Sequence, residues 1–105
     1  MSMINQNAKS LKFECLNVLD YYLAKTRSIM RIYKDTSEIR YFLFALKGTK
    51  ASIDGKEKIS KIYLNKCIDT LIDGQKDKLG SARLVALRNE LEEELSLLKL
   101  RYNLE

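Results

Sequence analysis

Carboxylate pairs are the side chains in this sequence whose spacing could serve catalysis. Glu90 and Glu94 are four residues apart, as are Asp69 and Asp73, so each pair would share one face of a helix. Such a pair can hold a metal ion or share a proton, but a metal centre in a helical bundle also draws on histidine, and the chain has none. We therefore interpret both pairs as parts of solvated helix faces.

The missing histidine excludes further chemistry, because it is the commonest general base near neutral pH and the commonest metal ligand. Histidine-dependent hydrolytic triads and histidine-containing zinc sites are excluded. Gly48, Gly55, Gly74 and Gly80 are too widely spaced to form a phosphate-binding loop, and the segment around Asp54 lacks the repeated acidic positions of a calcium loop. The sequence predicts no catalytic, metal or cofactor site, and so a protein that is not an enzyme and takes no small-molecule substrate.

The two cysteines, Cys15 and Cys67, fall on apolar faces of predicted helices, where a free thiol behaves as a small hydrophobic group. This use of cysteine is typical of a reducing compartment. No apolar run is long enough to span a bilayer and no secretion signal is evident, so a cytoplasmic location without membrane contact is expected. Met1 to Met3 and Leu104-Glu105 look like residues added for expression.

Basic side chains offer the second kind of chemistry, namely contact with phosphate. The net charge is +5, and residues 1–34 hold six basic and two acidic side chains. If the basic residues near the first two connections converge, they would follow a nucleic-acid backbone, with nearby tyrosines available for stacking on bases. Ordinary solvation of helix ends and loops is the alternative. The candidate contacts are Lys25, Arg27, Arg31, Lys34, Arg40, Lys47 and Lys50.

One short stretch supports the nucleic-acid hypothesis by resemblance. Residues 36–40 (Thr-Ser-Glu-Ile-Arg), which follow a basic helix and precede an apolar run, resemble part of the small helical subunit of type III CRISPR effector complexes. That resemblance implies a basic helical bundle that contacts RNA through its backbone. The Arg-rich and aromatic-glycine segments of that family do not occur further along this chain.

Apolar residues recur every three or four positions along the chain, which predicts an all-α protein. The four predicted helices form a bundle-like single domain over residues 1–105, with short polar connections between antiparallel neighbours. Two of the helices are long and two are shorter. The long helices span about 6–33 and 81–102, and the shorter ones about 36–47 and 57–73.

The second helix carries the clearest boundary signals. Asp35 is predicted to cap it, with Glu38 closing a capping box, and Gly48 is predicted to end it. Its residues 39–46 are almost all apolar, which predicts the most buried segment, although this composition also fits a strand. An exposed loop over residues 48–57 follows, and Asp54-Gly55 also fits a tight hairpin turn.

Two long helices beside two shorter ones would leave apolar surface uncovered, and exposed apolar surface usually marks a partner site. We therefore predict a non-catalytic protein–protein interaction module, such as an adaptor, chaperone, inhibitor or immunity-type binder, that associates with a partner or with itself as a dimer. A bundle that covers its own stripes is the simpler alternative, and a basic nucleic-acid-binding accessory protein is the functional one. The predicted interface lies at the end of the fourth helix: Leu91, Leu95, Leu97, Leu98, Leu100 and Tyr102.

Overall fold

The computed structural model describes residues 3–34, 36–56 and 59–104, with side chains from residue 11 onward. This part of the chain forms four α-helices and no strand. The all-α prediction is confirmed, and the strand and hairpin alternatives are wrong. The helices are α1 (Met3–Tyr33), α2 (Ser37–Asp54), α3 (Lys61–Gly74) and α4 (Ala82–Arg101).

Helix α1 has 31 residues and begins three residues before the predicted start. From residue 11 onward it turns a regular apolar stripe inward, at the spacing of three and four residues that puts side chains on one helix face. Thr26 belongs to this stripe and is fully buried, and its hydroxyl donates to the carbonyl of Tyr22 at 2.6 Å. Lys34 then takes a left-handed conformation with φ of 68°, which ends the helix. The buried stripe consists of Leu11, Cys15, Leu19, Tyr22, Leu23 and Thr26.

Helix α2 corrects the prediction that Gly48 ends a short helix of residues 36–47. It runs 18 residues to Asp54, so most of the predicted loop is helical and α2 is nearly as long as α4, which has 20. The physical reason is Ile53, which is completely buried two turns after Leu46 and extends the apolar face of the helix. Burial of Ile53 outweighs the modest cost of one glycine inside a helix. Gly55 caps the end in an ordinary right-handed conformation.

The start of α2 also differs from the prediction. Thr36 occupies the N-cap, and its hydroxyl accepts from the backbone N–H of Ile39 at 3.3 Å. Asp35, the predicted cap, lies outside the described residues. Because the cap falls one residue later, Glu38 stands at the second helical position and cannot close a capping box.

Glu38 makes a contact between helices instead. Its carboxylate accepts from the backbone N–H of Ser81 at 3.0 Å, just before α4 begins. Ser81 holds the N-cap position, but its own side chain forms no capping hydrogen bond. The carboxylate of Glu38 therefore satisfies an N–H group at the start of α4, which ties the beginnings of α2 and α4 together.

Helix α3 begins later than predicted and ends where expected. Its N-cap is Ser60, whose hydroxyl accepts from the N–H of Tyr63 at 3.1 Å. The predicted start at residues 57 and 58 lies outside the described residues. The predicted end at about residue 73 is within one residue of the observed end at Gly74.

The end of α4 closes in a defined hydrogen-bonded motif. The N–H of Leu104 donates to the carbonyl of Lys99 at 2.8 Å, while Asn103 takes a left-handed conformation with φ of 56°. This arrangement is a Schellman motif, in which asparagine can replace the usual glycine. Leu104 packs partly buried against the core, so it contributes to the structure of the domain.

The four helices run alternately up and down, and each packs against its neighbours in the chain, with α4 also packing on α1. The molecule measures 50 × 22 × 16 Å. Its core takes leucine, isoleucine and phenylalanine from all four helices, and Leu79 closes the link between α3 and α4. No described helix has the length and hydropathy required to cross a membrane.

Candidate interaction surfaces

The predicted interface on α4 divides into two groups that face different ways. Leu91, Leu95 and Leu98 are buried in the bundle core, at most 5% exposed. Their spacing of four and three residues places them on the face that packs against the other helices. The structure therefore assigns these three leucines to the core, and they cannot contact a partner while the bundle is folded.

Leu97 and Leu100 remain at the surface, 52% and 76% exposed. We call these two side chains the α4 edge. Tyr102, the last predicted interface residue, is half-buried and packs against the core. A hydrogen bond to Glu14 raises the pKa of its phenol, with desolvation contributing further.

Besides Lys25, five of the predicted basic residues lie on α1 and α2, four of them exposed and Lys50 half-buried. On α1, Arg27 and Arg31 are one turn apart, and on α2 Arg40 and Lys47 are two turns apart, so each pair shares a helix face. We call this surface the basic face; it consists of Arg27, Arg31, Arg40, Lys47 and Lys50.

Lys50 joins the two halves of the basic face. Its Nζ lies 2.8 Å from Oδ1 of Asp20 on α1, and this hydrogen bond raises the pKa of the lysine, while the nearby charge of Arg27 acts in the opposite direction. Arg27 and Lys50 are therefore close enough for their charges to interact across the α1–α2 contact. Asp20 neutralises part of the positive charge on this face.

Lys25 and Lys34 are separated from the basic face. Lys25 lies on the flank of α1 that meets α4, with its Nζ 5.0 Å from the ring centre of Tyr21 and 3.5 Å from Oε2 of Glu90. The hydrogen bond to Tyr21 is the main cause of its raised pKa. Lys34 is exposed just beyond the end of α1.

The carboxylates considered for catalysis also take part in ion pairs. Glu90 pairs with Lys25, as just described, and Asp69 pairs with Lys99 across the α3–α4 contact. Over the described residues, no group of three or more histidine, cysteine, aspartate or glutamate side chains is arranged to hold a metal ion.

A groove of about 780 Å³ runs between α2 and α3. Phe44 and Tyr41 stand on its α2 side, 62% and 46% exposed, although this segment of α2 was predicted to be buried on every side. That prediction is wrong because only one side of α2 meets the core, through Ile39, Phe42, Leu43 and Leu46. Leu71 and Cys67 form the α3 side.

The groove is framed by polar and cationic groups. The ammonium of Lys78 lies 4.4 Å from the ring centre of Tyr41 and donates to its hydroxyl. At the other end, the hydroxyls of Tyr63 and Ser52 are hydrogen-bonded across the groove. Gln75 also lines it and is only 4% exposed, yet its Oε1 has no hydrogen-bond partner in the described structure.

The cysteines occupy two different environments. Cys15 is completely buried, and desolvation together with the neighbouring Cys67 raises the pKa of its thiol to about 12. A thiol with so high a pKa is protonated at neutral pH and is a poor nucleophile. Cys67 is half-buried and borders the groove, and both cysteines are free.

Comparison with known proteins identifies no family and no relative of this chain. No protein-family model, no curated protein and no solved structure matches the chain. The short resemblance of residues 36–40 to the CRISPR effector subunit thus receives no support from these comparisons. In the structure, residues 36–40 form the start of α2, and Glu38 among them contacts the start of α4.

Sequence reasoning missed the groove because no motif marks it. Its lining comes from two helices whose relative rotation cannot be read from either helix alone. One signal was present: Leu46 and Ile53 are seven residues apart, so the apolar face of α2 continues past Gly48. A longer α2 would have drawn attention to the aromatic residues opposite that face.

Proposed function

We propose that this protein is a non-catalytic, cytoplasmic protein–protein interaction module that presents helical surfaces to a partner or to a second copy of itself. The observation that supports this most directly is the open groove between α2 and α3, where Phe44 and Tyr41 are exposed around an apolar floor. Large apolar side chains gathered at a concave surface are typical of sites that bind another molecule. The α4 edge offers a second apolar surface for self-association.

Affinity capture from the native host tests this proposal. Immobilised wild-type protein is compared with Phe44→Glu and Leu100→Glu, which place a charge in the groove and on the α4 edge. Bound proteins are identified by mass spectrometry, and light scattering gives the mass of the purified protein alone. We expect a stable partner or a dimer that one of the two variants loses.

Asn17→Glu serves as a matched control, because it introduces a glutamate at an exposed position of α1 outside the groove and the α4 edge. It should retain every partner that the wild type captures. A strictly monomeric protein that captures nothing would refute the proposed function.

Binding of nucleic acid is the second candidate function, for example as a small helical subunit of a ribonucleoprotein complex. The basic face supports it, since Arg27 and Lys50 are close across the α1–α2 contact and the other three cationic residues are exposed on the same two helices. Contact with phosphate comes from these cations, and the exposed ring of Phe44, one turn from both Arg40 and Lys47, is available for stacking on a base.

Salt dependence tests the nucleic-acid candidate. Each phosphate contact releases counterions, so affinity for a single-stranded or duplex RNA should fall steeply as salt increases. Replacing Arg27, Arg31 and Lys47 with glutamine should weaken binding and reduce that slope. No retention on RNA or DNA columns at low ionic strength would exclude this candidate.

A further inference from the structure

Gly48 lies in the groove, and nothing within the protein itself requires a glycine at this position. It lies inside α2, where glycine is less favourable than alanine, and its backbone has an ordinary negative φ. A Cβ built on Gly48 would meet no atom within 4 Å, so packing within the molecule does not require a glycine either. Its effect is to leave the backbone of α2 open to close approach from outside.

The floor of the groove has the length and character to receive a helix. Along α2 the lining extends from Tyr41 to Ser52, and eleven residues of helix rise about 16 Å, or roughly three turns. Phe44 projects into this space from α2 and Leu71 borders it from α3. A third helix laid between two packed helices in this way is a recurring mode of peptide recognition.

Gln75 is a buried polar side chain beside the groove. It is more than nine-tenths buried, and its Oε1 accepts no hydrogen bond in the described structure. A buried acceptor without a donor costs free energy, because it has lost its hydrogen bonds to water. This oxygen has almost no accessible surface, so a bound helix reaches it only if the Gln75 side chain turns outward.

The charged side chains that line the groove itself are of one sign. The described residues that line it include two lysines, Lys66 and Lys78, and no carboxylate. Lys56 lies near the same rim, with its ammonium 5.2 Å from the ring centre of Tyr63. Complementarity therefore favours an occupant with acidic side chains beside its apolar stripe.

We propose that the groove between α2 and α3 binds an acidic amphipathic α-helix of a partner protein. This inference rests on the proposed function and adds to it a binding surface and the chemistry of the partner. The apolar stripe of the helix packs over Gly48 and against Phe44, and its carboxylates face Lys66 and Lys78.

Selection from a displayed library of helical peptides tests the inference and does not require the natural partner to be identified first. Peptides of about 18 residues, five turns long, are randomised on all faces and selected on the wild-type protein. Each enriched peptide is then measured against Gly48→Leu, which fills the groove, and against Ala51→Leu. The second variant adds the same side chain to an exposed position of α2 outside the groove.

We expect enriched peptides to carry an apolar stripe flanked by glutamate or aspartate. Gly48→Leu should weaken their binding by about tenfold or more, while Ala51→Leu should leave it unchanged. Replacing each flanking glutamate with glutamine should cost about threefold in affinity, and added salt should reduce that difference. Circular dichroism confirms that both variants remain helical.

Other results would overturn the inference. Enriched peptides of neutral or positive charge would refute the acidic partner, and binding unaffected by Gly48→Leu, or no enrichment at all, would refute the groove as the site. If the wild type self-associates in sedimentation and Gly48→Leu abolishes that association, the occupant of the groove is a second copy of the protein and the inference of a partner helix is wrong. In each case the capture experiment still decides separately whether the protein binds partners.

Discussion

At the scale of single residues, the glycine at position 48 has a thermodynamic consequence that can be measured without any partner. Gly48→Ala adds a methyl group into open space and removes the entropic cost of a glycine inside a helix. It should raise the free energy of unfolding by about 1 kcal/mol and the melting temperature by about 4 °C. Urea unfolding followed by circular dichroism gives the first value, and a thermal melt gives the second.

Ala51 provides the matched control, since it is also exposed and lies one turn further along α2. Ala51→Gly should destabilise the protein by about the same amount as Gly48→Ala stabilises it. If Gly48→Ala is instead destabilising, the space above position 48 is filled in solution, and the groove is not open as described.

The contact between Glu38 and Ser81 leads to a second prediction at the residue scale. A Cβ at Gly80 would lie 3.0 Å from Oε1 of Glu38, so in Gly80→Ala the carboxylate has to shift, and this shift strains the hydrogen bond that its Oε2 accepts from the N–H of Ser81. We expect Gly80→Ala and Glu38→Ala each to cost about 1 kcal/mol, measured by urea unfolding.

The double variant distinguishes this mechanism from two unrelated losses. Because both substitutions act on the same hydrogen bond, Glu38→Ala combined with Gly80→Ala should cost clearly less than the two single effects added together. Additive costs would mean that Gly80 acts independently of the carboxylate. Glu93→Ala, at an exposed position on α4, should change stability little.

At the scale of helices, α4 shows why the apolar pattern alone could not locate an interface. Leu91, Leu95 and Leu98 are core residues, whereas Leu97 and Leu100 are exposed. The apolar spacing groups all five as candidate interface residues. It could not say which row meets the bundle, because that depends on how the helix is rotated against its neighbours.

Helix α2 shows a different error of prediction. There a local signal, the glycine at position 48, was given more weight than the apolar pattern that continues past it. A glycine after an apolar run commonly ends a helix, yet here the tertiary burial of Ile53 carries the helix through Gly48 to Asp54. Four helices and most of their boundaries were predictable from apolar spacing and capping residues. The groove was not, since it depends on side chains from two helices meeting at an angle that no sequence pattern specifies.

The α4 edge carries the prediction about self-association. In a two-fold symmetric dimer the same apolar patch contacts its own copy, so one substitution disrupts both sides of the interface. Leu97→Glu and Leu100→Glu should each shift the protein from dimer to monomer in light scattering, with little change in stability because both positions are exposed.

Leu91→Ala is the contrasting variant, because this leucine is fully buried. It should cost about 2 to 5 kcal/mol of stability through loss of packing and the cavity left behind. A wild-type protein that is monomeric at all concentrations would show that the α4 edge does not mediate self-association.

At the scale of the whole molecule, α2 contributes to two surfaces. Arg40 and Lys47 belong to the basic face shared with α1, whereas Phe44 and Gly48 border the groove shared with α3. Phe44 lies one turn from both Arg40 and Lys47, so the substitutions that separate the two surfaces are Arg40→Gln for the basic face and Gly48→Leu for the groove. The two candidate functions can be separated by variants of a single helix.

We expect unfolding of the whole molecule to be coupled to ionisation of the Cys15 thiol, which is completely buried in the folded protein. Folding raises the pKa of this thiol from 9.0 to about 12, because burial disfavours the thiolate. Between these two values the unfolded chain has lost the proton while the folded protein still holds it. Stability should therefore decrease as pH rises from about 9 towards 12, and below pH 9 this contribution should be constant.

Replacing the thiol isolates that effect from other alkaline titrations. Cys15→Ala lowers stability at every pH through lost packing, but its urea midpoint should decline less steeply than that of the wild type above pH 9. Leu19→Ala, which removes buried packing from the same helix without removing a thiol, is the matched control, and its urea midpoint should decline with pH as steeply as that of the wild type. If Cys15→Ala and the wild type lose stability in parallel across this range, ionisation of Cys15 is not coupled to unfolding and the thiol must reach solvent in the folded state.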